Sequence, residues 1–236
     1  MDPVRQCLHR AQSVVALTGA GISAESGIPT FRGAGGLWKT YRPEDLASPQ
    51  AFREAPNLVW EWYEWRRSVI ANAEPNNGHL ALAAYESRCP QFTLVTQNVD
   101  GLHDRAGSRN VLKLHGDIWI NRCTECGAEE TVRPDEARAS SHLCGCGGMQ
   151  RPGVVWFGEP LPPDVWQRAE AAVRAAGVVL VVGTSSVVYP AAGLVPLAKS
   201  RGARVIEINL EETPLSSRAD WSYRGKAGEL LPLLLA

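Results

Sequence analysis

The sequence predicts an α/β fold, a Rossmann-like parallel sheet with helices on both faces. Three observations carry this. Ser13–Thr18, 92–96, Val178–Val182 and 204–208 are short, largely apolar runs, as strands buried on both faces require. Each run is followed by small or polar residues, the pattern of a sheet whose strand ends share one functional edge. Gly19-Ala20-Gly21-Ile22-Ser23-Ala24 follows the first run at once, in the G-x-G-x-x-A form of a dinucleotide turn.

The bulk numbers fit that fold. The 236 residues are 44% hydrophobic and 21% charged, which suits one sizeable core with a small appended module. A net charge of -1 provides no basic field to draw the chain to nucleic acid or to a membrane surface. No apolar run approaches the roughly 18 residues of a membrane span. The start, Met1-Asp2-Pro3-Val4-Arg5, does not read as a signal peptide, so a cytoplasmic location is expected. In a reducing compartment, closely paired cysteines are better read as metal ligands than as disulfides. Cys7 and Cys89 stand alone and read as small buried hydrophobes.

Residues 2–12 read as a short helix leading into the first strand. In the turn after it, the first glycine permits the tight bend. The second lets the backbone approach a pyrophosphate, and the small third residue allows close helix packing. A hydride-transferring enzyme of this class would place an acidic residue at the end of a second strand about 20 residues on. Here that region is Trp38-Lys39-Thr40-Tyr41-Arg42, which is not an apolar strand, so a dehydrogenase is disfavoured. A glycine-rich loop from Gly27 to Gly36 carries Phe31 and Arg32 and is suited to move over a ligand; a plain connector is the alternative.

Residues 48–73 read as helical and strongly aromatic, with Trp60, Trp62, Tyr63 and Trp65. Tyr63 and Arg66, three apart, share one helix face. A guanidinium fork beside a phenol can hold a carboxylate. On the residues alone, a solvated Arg66 beside core aromatics is the stronger reading. Asn77 is a candidate cap for the next helix, with His79 structural in its first turn. Gln97-Asn98-Val99-Asp100 lies at the end of the strand over 92–96, where open α/β sheets bind ligands. His103 is open to either role. The apolar run 111–114 ends in His115-Gly116-Asp117, a histidine at a strand end where a general base is expected.

Cys123-x2-Cys126 and, after 17 residues, Cys144-x-Cys146 fit a four-thiolate structural zinc site. His142 is an alternative ligand. Such a closed site leaves no position for catalysis. The run 153–159 is extended and aromatic, either an interior strand or an edge that pairs with a peptide. A helix over 164–176 and the strand Val178–Val182 lead to Gly183-Thr184-Ser185. The strand 204–208 leads to Asn209-Leu210-Glu211, where Asn209 or Glu211 can take the adenosine ribose. A leucine-rich helix closes the chain.

These motifs, in this order, resemble the sirtuins, the NAD-dependent protein-lysine deacylases. The resemblance rests on Gly19-Ala20-Gly21-Ile22-Ser23, Thr30-Phe31-Arg32, Gln97-Asn98-Val99-Asp100, Leu114-His115-Gly116, the cysteine pairs, Val155-Trp156-Phe157-Gly158-Glu159, Gly183-Thr184-Ser185 and Asn209-Leu210-Glu211. It covers nearly the whole chain. It implies one catalytic unit over 1–236. Its large Rossmann-like domain would comprise 1–30, 76–118 and 160–236. Its small domain would join a helical insertion (31–75) to a zinc ribbon (119–159). NAD and an acyl-lysine protein or peptide would meet in the cleft between them. By similarity the acyl oxygen attacks the nicotinamide ribose, nicotinamide leaves, and His115 acts as base on a ribose hydroxyl. The products are free lysine and O-acyl-ADP-ribose. Asn98 and Asp100 would order the nicotinamide pocket, and Phe31 and Arg32 would belong to the mobile cofactor loop. Glu25 and Ala227 would complete the cofactor contacts. Val155 to Glu159 would pair with the substrate backbone.

Gly33-Ala34-Gly35-Gly36-Leu37-Trp38 and Tyr63-x-x-Arg66 are similar to the class III branch in its bacterial form, which implies that Tyr63 and Arg66 read the carboxylate of a succinyl- or malonyl-lysine. This reverses the weighting of Arg66 made from the residues alone. A monomer is implied. Two other readings compete. An ADP-ribosyltransferase on the same scaffold would yield ADP-ribosylated protein without O-acyl-ADP-ribose. A zinc-ribbon module that senses NAD would bind it without releasing nicotinamide. Basic residues about the cysteines are few (Arg122, Arg133, Arg138, Arg151), so specific nucleic-acid binding is not expected.

Overall fold

A computed structural model of the chain describes residues 2–31, 36–37, 42–134 and 142–236. Arg32, the Gly33-Ala34-Gly35 stretch, residues 38–41 and Arg138 lie outside the described residues.

The first strand, β1 (Ser13–Thr18), lies at the centre of a six-stranded sheet. Its neighbours are β2 (Gln91–Thr96) and β7 (Val178–Val182), both parallel to it. Beyond them lie β3 (Val111–Lys113) on one side, then β8 (Arg204–Asn209) and β9 (Trp221–Arg224) on the other. Every pairing is parallel. Numbered within this sheet alone, the order is 3-2-1-4-5-6, the doubly wound arrangement. Alternate residues of β1 face opposite layers. Val14 and Ala16 join the core under α1 (Asp2–Arg10), α5 (Asn77–Glu86) and α9 (Ala227–Leu235). Val15 and Leu17 join the core under α7 (Pro163–Ala175) and α8 (Leu194–Ser200). Burial on both faces explains the continuous apolar runs.

A second sheet of three antiparallel strands has the order β5-β4-β6, with β4 at Gly116–Cys123, β5 at Glu129–Thr131 and β6 at Gln150–Val154. Gly116 has φ +77, and a Cβ there would collide with the Gly153 carbonyl of β6; the turn after His115 therefore needs glycine. A third apolar cluster joins this sheet to the helical segment, bringing Ile118, Val154 and Trp156 against Phe52, Trp60 and Tyr63.

Four local expectations are corrected. The helix expected over 48–73 is two helices, α3 (Pro49–Glu54) and α4 (Pro56–Ala71), preceded by the short α2 (Pro43–Leu46). Pro56 forces the break, because a residue before proline is pushed out of helical backbone; Ala55 sits at φ -142, ψ 64. Asn76, not Asn77, caps α5, its side chain accepting from Gly78 N while its own N–H is donated to His79 Nδ1. Cys7 and Cys89 are half-buried at the edge of the first core rather than inside it. Val155 to Glu159 do not continue β6 as a strand but turn away after Val154. The reason is local. Trp156 N–H is donated to the Glu159 carboxylate (2.8 Å), and Arg151 grips the same carboxylate. Among the described residues no helix is long and apolar enough to cross a membrane.

Candidate active site

The C-terminal ends of β1 and β7 meet where the strand order reverses, the position at which doubly wound sheets bind ligands. Two glycine turns pack against each other there. Gly19 N–H is donated to the Val182 carbonyl (3.0 Å) and Gly21 N–H to the Gly183 carbonyl (2.8 Å). A Cβ on Gly21 would lie 2.7 Å from Gly183 Cα, and Gly183 itself has φ +58. The small residues of the dinucleotide turn are thus demanded first by protein backbone. Residues 20–26 continue as a 3-10 helix.

From this junction opens a cleft of about 660 Å³. Gly19, Ala20, Gly21, Thr30, Phe31, Gln97, Asn98, Val99, His115, Gly183, Thr184, Ser185, Asn209, Leu210 and Glu211 line it, as do Tyr63, Arg66 and the turn Val155 to Glu159. Residues scattered over nearly 200 positions therefore converge on one space. The cleft wall also includes Val187, Val188, Tyr189, Pro190 and Glu212, which belong to none of the sequence motifs. The rule that ligands sit beyond strand ends would have found them, since they follow β7 and β8.

His115 follows β3 and is held from behind. Its Nδ1 lies 3.1 Å from the Gln97 carbonyl, which can only accept, so Nδ1 carries the proton and Nε2 is the basic nitrogen. Burial pulls the His115 pKa below its ordinary value, opposed by the bond to Gln97. Asn98 is 8% exposed, and its Nδ2 donates to the Gly19 carbonyl (3.1 Å) and to Ser23 Oγ (3.2 Å). Its Oδ1 is left as the acceptor of the carboxamide. Ser23 and Asp100 are not in the wall itself. Ser23 Oγ donates to Asp100 Oδ2 (2.8 Å), and Leu102 N–H to Asp100 Oδ1 (2.9 Å), so the carboxylate buttresses Asn98 from behind. Burial pushes the Asp100 pKa up. Glu25 and Ala227, expected at the cofactor, are also placed outside the lining. Glu25 accepts the Gly228 N–H (2.7 Å) at the start of α9, and Ala227 is packed in the first core.

In the same cleft wall, α4 presents Tyr63 and Arg66, 2% and 7% exposed. The Arg66 guanidinium lies over the rings of Phe31 (4.6 Å) and Trp62 (5.1 Å). Burial pulls its pKa down. Its neighbour Arg67 is fully buried but has a structural occupation, donating to the Ile118 carbonyl (2.8 Å) and Asn121 Oδ1 (2.7 Å) of β4. Two adjacent arginines on one helix are thereby divided between framework and cleft.

The Sir2 family model matches residues 19–190. The chain belongs to the Sir2 family. It is 56% identical to an NAD-dependent protein deacylase of Aquifex aeolicus over 91% of this chain and 90% of that protein. It is 55% identical to NAD-dependent protein deacylase 1 of Archaeoglobus fulgidus over 99% and 96%. A Sir2 homolog–NAD complex superposes with a TM-score of 0.93 at 51% identity, covering 100% of this chain and 92% of that one. This Sir2 protein is an NAD-dependent protein deacylase.

The Sir2 chain also carries the expected metal centre. The sulfurs of Cys123, Cys126, Cys144 and Cys146 all lie within 4.8 Å of one another, with Cys123–Cys146 at 3.5 Å and Cys126–Cys144 at 3.7 Å. A tetrahedron with Zn–S bonds of about 2.3 Å needs sulfurs about 3.8 Å apart, so the four thiols fit zinc. His142 is not a ligand: it stacks on Trp60 (3.8 Å between rings) and its Nε2 lies 2.9 Å from Glu64 Oε1. The strand β5 is exposed throughout, so this ribbon has little core of its own and leans on the metal. Native mass spectrometry is expected to show one zinc per chain. A strong chelator is expected to melt the three-stranded sheet ahead of the six-stranded one, seen as loss of amide-exchange protection in residues 116–131 first. Simultaneous loss in both sheets would contradict this.

His79 of α5 and His103 of the short helix α6 (Leu102–Arg105) are 0% and 2% exposed, with ring centres 4.8 Å apart. His103 Nε2 lies 3.0 Å from Thr18 Oγ1, and His79 Nε2 lies 3.4 Å from Ser23 Oγ. Burial lowers the pKa of His79 to about 4 and holds His103 well below its ordinary value. Unfolded histidines titrate near 6.5, so below that pH the unfolded chain binds more protons than the folded one. Stability is complete above pH 6.5 and is lost as pH falls below it. Each histidine contributes a slope of up to about 1.4 kcal/mol per pH unit. Denaturant unfolding at pH 7.5 and 5.5 is expected to differ by about 3 kcal/mol from this pair. Equal stabilities would contradict burial in the neutral form.

Proposed function

We propose that this Sir2 deacylase removes carboxylate-bearing acyl groups, succinyl and malonyl, as well as acetyl, from lysine side chains of proteins, and that the products are nicotinamide and O-acyl-ADP-ribose. The observation that carries the acyl preference is Arg66. It is a buried cation with no carboxylate partner among the described residues, aimed with Tyr63 at a cleft that also holds His115. An unpaired buried charge costs several kcal/mol, so its retention at a ligand-accessible wall is best explained by an anionic ligand. The fork of a guanidinium suits a carboxylate.

The remaining residues take roles from the same geometry. NAD, when bound, supplies the electrophilic ribose carbon and the nicotinamide leaving group. The glycine turns at 19–21 and 183 would hold its phosphates, and Thr184, Ser185, Asn209, Leu210 and Glu211, which line the same cleft, would hold its adenosine. Asn98 offers Oδ1 to a carboxamide, and Asp100 with Ser23 keeps it there. His115 Nε2 takes a proton from a ribose hydroxyl, and Nδ1–H stays on Gln97. A substrate peptide lies along the turn Val155 to Glu159. The N–H groups of Val155, Trp156, Phe157 and Glu159 are already donated within the protein, so the turn receives a peptide mainly through its carbonyls.

Purified protein with NAD and two peptides that differ only in acetyl- against succinyl-lysine tests this reading. Mass spectrometry is expected to show both deacylated peptides and both O-acyl-ADP-riboses, with the succinyl peptide turned over faster. Turnover of the acetyl peptide alone would discard the acidic-acyl part and leave the deacylase.

A further inference from the structure

Tyr63 does not face the cleft with a free hydroxyl. The Trp156 indole Nε1–H is donated to its oxygen at 2.9 Å. An indole nitrogen is a donor only, so the phenol oxygen must accept in that direction. A phenolic hydrogen lies near the ring plane, on one side of the oxygen or the other. With the indole on one side, the hydrogen is committed to the other. Among the described residues no acceptor takes it, and Tyr63 lines the cleft beside Arg66. Burial raises the Tyr63 pKa to about 12, so the hydroxyl keeps its hydrogen.

The indole is itself held rigidly. Trp156 is 3% exposed and packs on Phe52 at 5.2 Å. The Arg151 guanidinium lies over its ring at 3.5 Å, where a cation withdraws density from the indole and strengthens its N–H as a donor. Arg151 is in turn clamped by both oxygens of Glu159, which also accepts the Trp156 backbone N–H. Glu159, Arg151, Trp156 and Tyr63 thus form one chain of contacts that ends in the cleft wall beside Arg66.

We propose that Trp156 determines acyl specificity: by donating its indole N–H to Tyr63 it commits the Tyr63 O–H to the cleft as a donor for the carboxylate of an acidic acyl-lysine. Trp156 is a positioning residue that acts through Tyr63. The proposal rests on the acidic-acyl reading above and adds the residue that sets the direction of the hydrogen bond.

Trp156→Phe keeps an aromatic ring and removes only the donor. Tyr63→Phe removes the hydroxyl. The readout is the ratio of kcat/KM for succinyl against acetyl peptide, with KM and kcat resolved for each. Tyr63→Phe is expected to lower the ratio by about 10- to 100-fold, the range for a hydrogen bond to a charged group. Trp156→Phe is expected to lower it about fivefold to tenfold, mainly through the succinyl KM. In the Tyr63→Phe background Trp156→Phe is expected to add nothing, because its route is gone. An unchanged ratio in Trp156→Phe, or losses that multiply in the double variant, overturns the proposal and leaves the acidic-acyl reading standing. A wild-type enzyme without succinyl turnover overturns both. If Trp156→Phe does not fold, nitrogen-15 spectra of tryptophan-labelled protein carry the test. The Trp156 indole resonance is expected to move when Tyr63 becomes Phe. It is also expected to move in wild type on saturation with succinyl peptide, as Tyr63 becomes a better acceptor. A resonance indifferent to both overturns the proposal.

Discussion

Replacing His115 with alanine lowers kcat/KM for every acyl peptide by about 10²- to 10⁴-fold, the contribution of a positioned general base. The geometry makes the expectation specific. The Gln97 carbonyl holds the proton on Nδ1, which leaves Nε2 basic toward the cleft without any rearrangement. Asparagine at 115 could still bond Gln97 but would lack a base, so His115→Asn should be as inactive as the alanine variant. NAD affinity, followed by ligand-induced change in tryptophan fluorescence, should survive in both. The pH profile adds a second check. Burial lowers the His115 pKa, so the folded histidine stays neutral and competent below pH 6.5. The acid limb of kcat/KM is therefore expected below that value. An acid limb at or above pH 7, or substantial turnover in His115→Asn, would assign the base elsewhere.

Replacing Arg66 with methionine separates two quantities that usually move together. The succinyl-to-acetyl ratio of kcat/KM is expected to fall at least about 30-fold. This is the lower end of the range of about 2–5 kcal/mol for truncating one partner of a buried charge pair. The unliganded protein is expected to become more stable, because the buried Arg66 has no carboxylate partner among the described residues and its desolvation is then relieved. Methionine fills much of the same volume against Phe31 and Trp62. Arg66→Lys keeps the charge but not the planar fork, so its ratio should fall between the two. Acetyl and succinyl activities that decline in parallel would show Arg66 to be framework, as Arg67 is.

Much of this was legible in the chain itself. The central strands could be read because a strand buried on both faces must be apolar at every position, and β7 matched its expected bounds residue for residue. The cysteine pairs could be read because ligand spacing is local. The strand-end polar groups could be read because each follows its own strand. The misreadings were also local. Pro56 breaks a helix inside an otherwise continuous aromatic run, and Trp221–Arg224, four residues with alternating burial, make a weak signal for an edge strand.

Short-range periodicity and spacing mark the central strands, the turns, the metal ligands and most of the candidate cleft wall in the chain itself. The tertiary structure decided the rest. It set β7 beside β1, so that the turns at Gly21 and Gly183 touch and the cleft opens between them. It placed Asp100 behind Asn98 rather than in the wall, and stacked His142 on Trp60 away from the thiols. It gave Arg67 to the framework, left Arg66 in the cleft, and brought Trp156 to Tyr63 across 93 positions of sequence. Each of these depends on which distant surfaces bury one another. That choice is made by the packing of whole elements, and no window of neighbouring residues contains it.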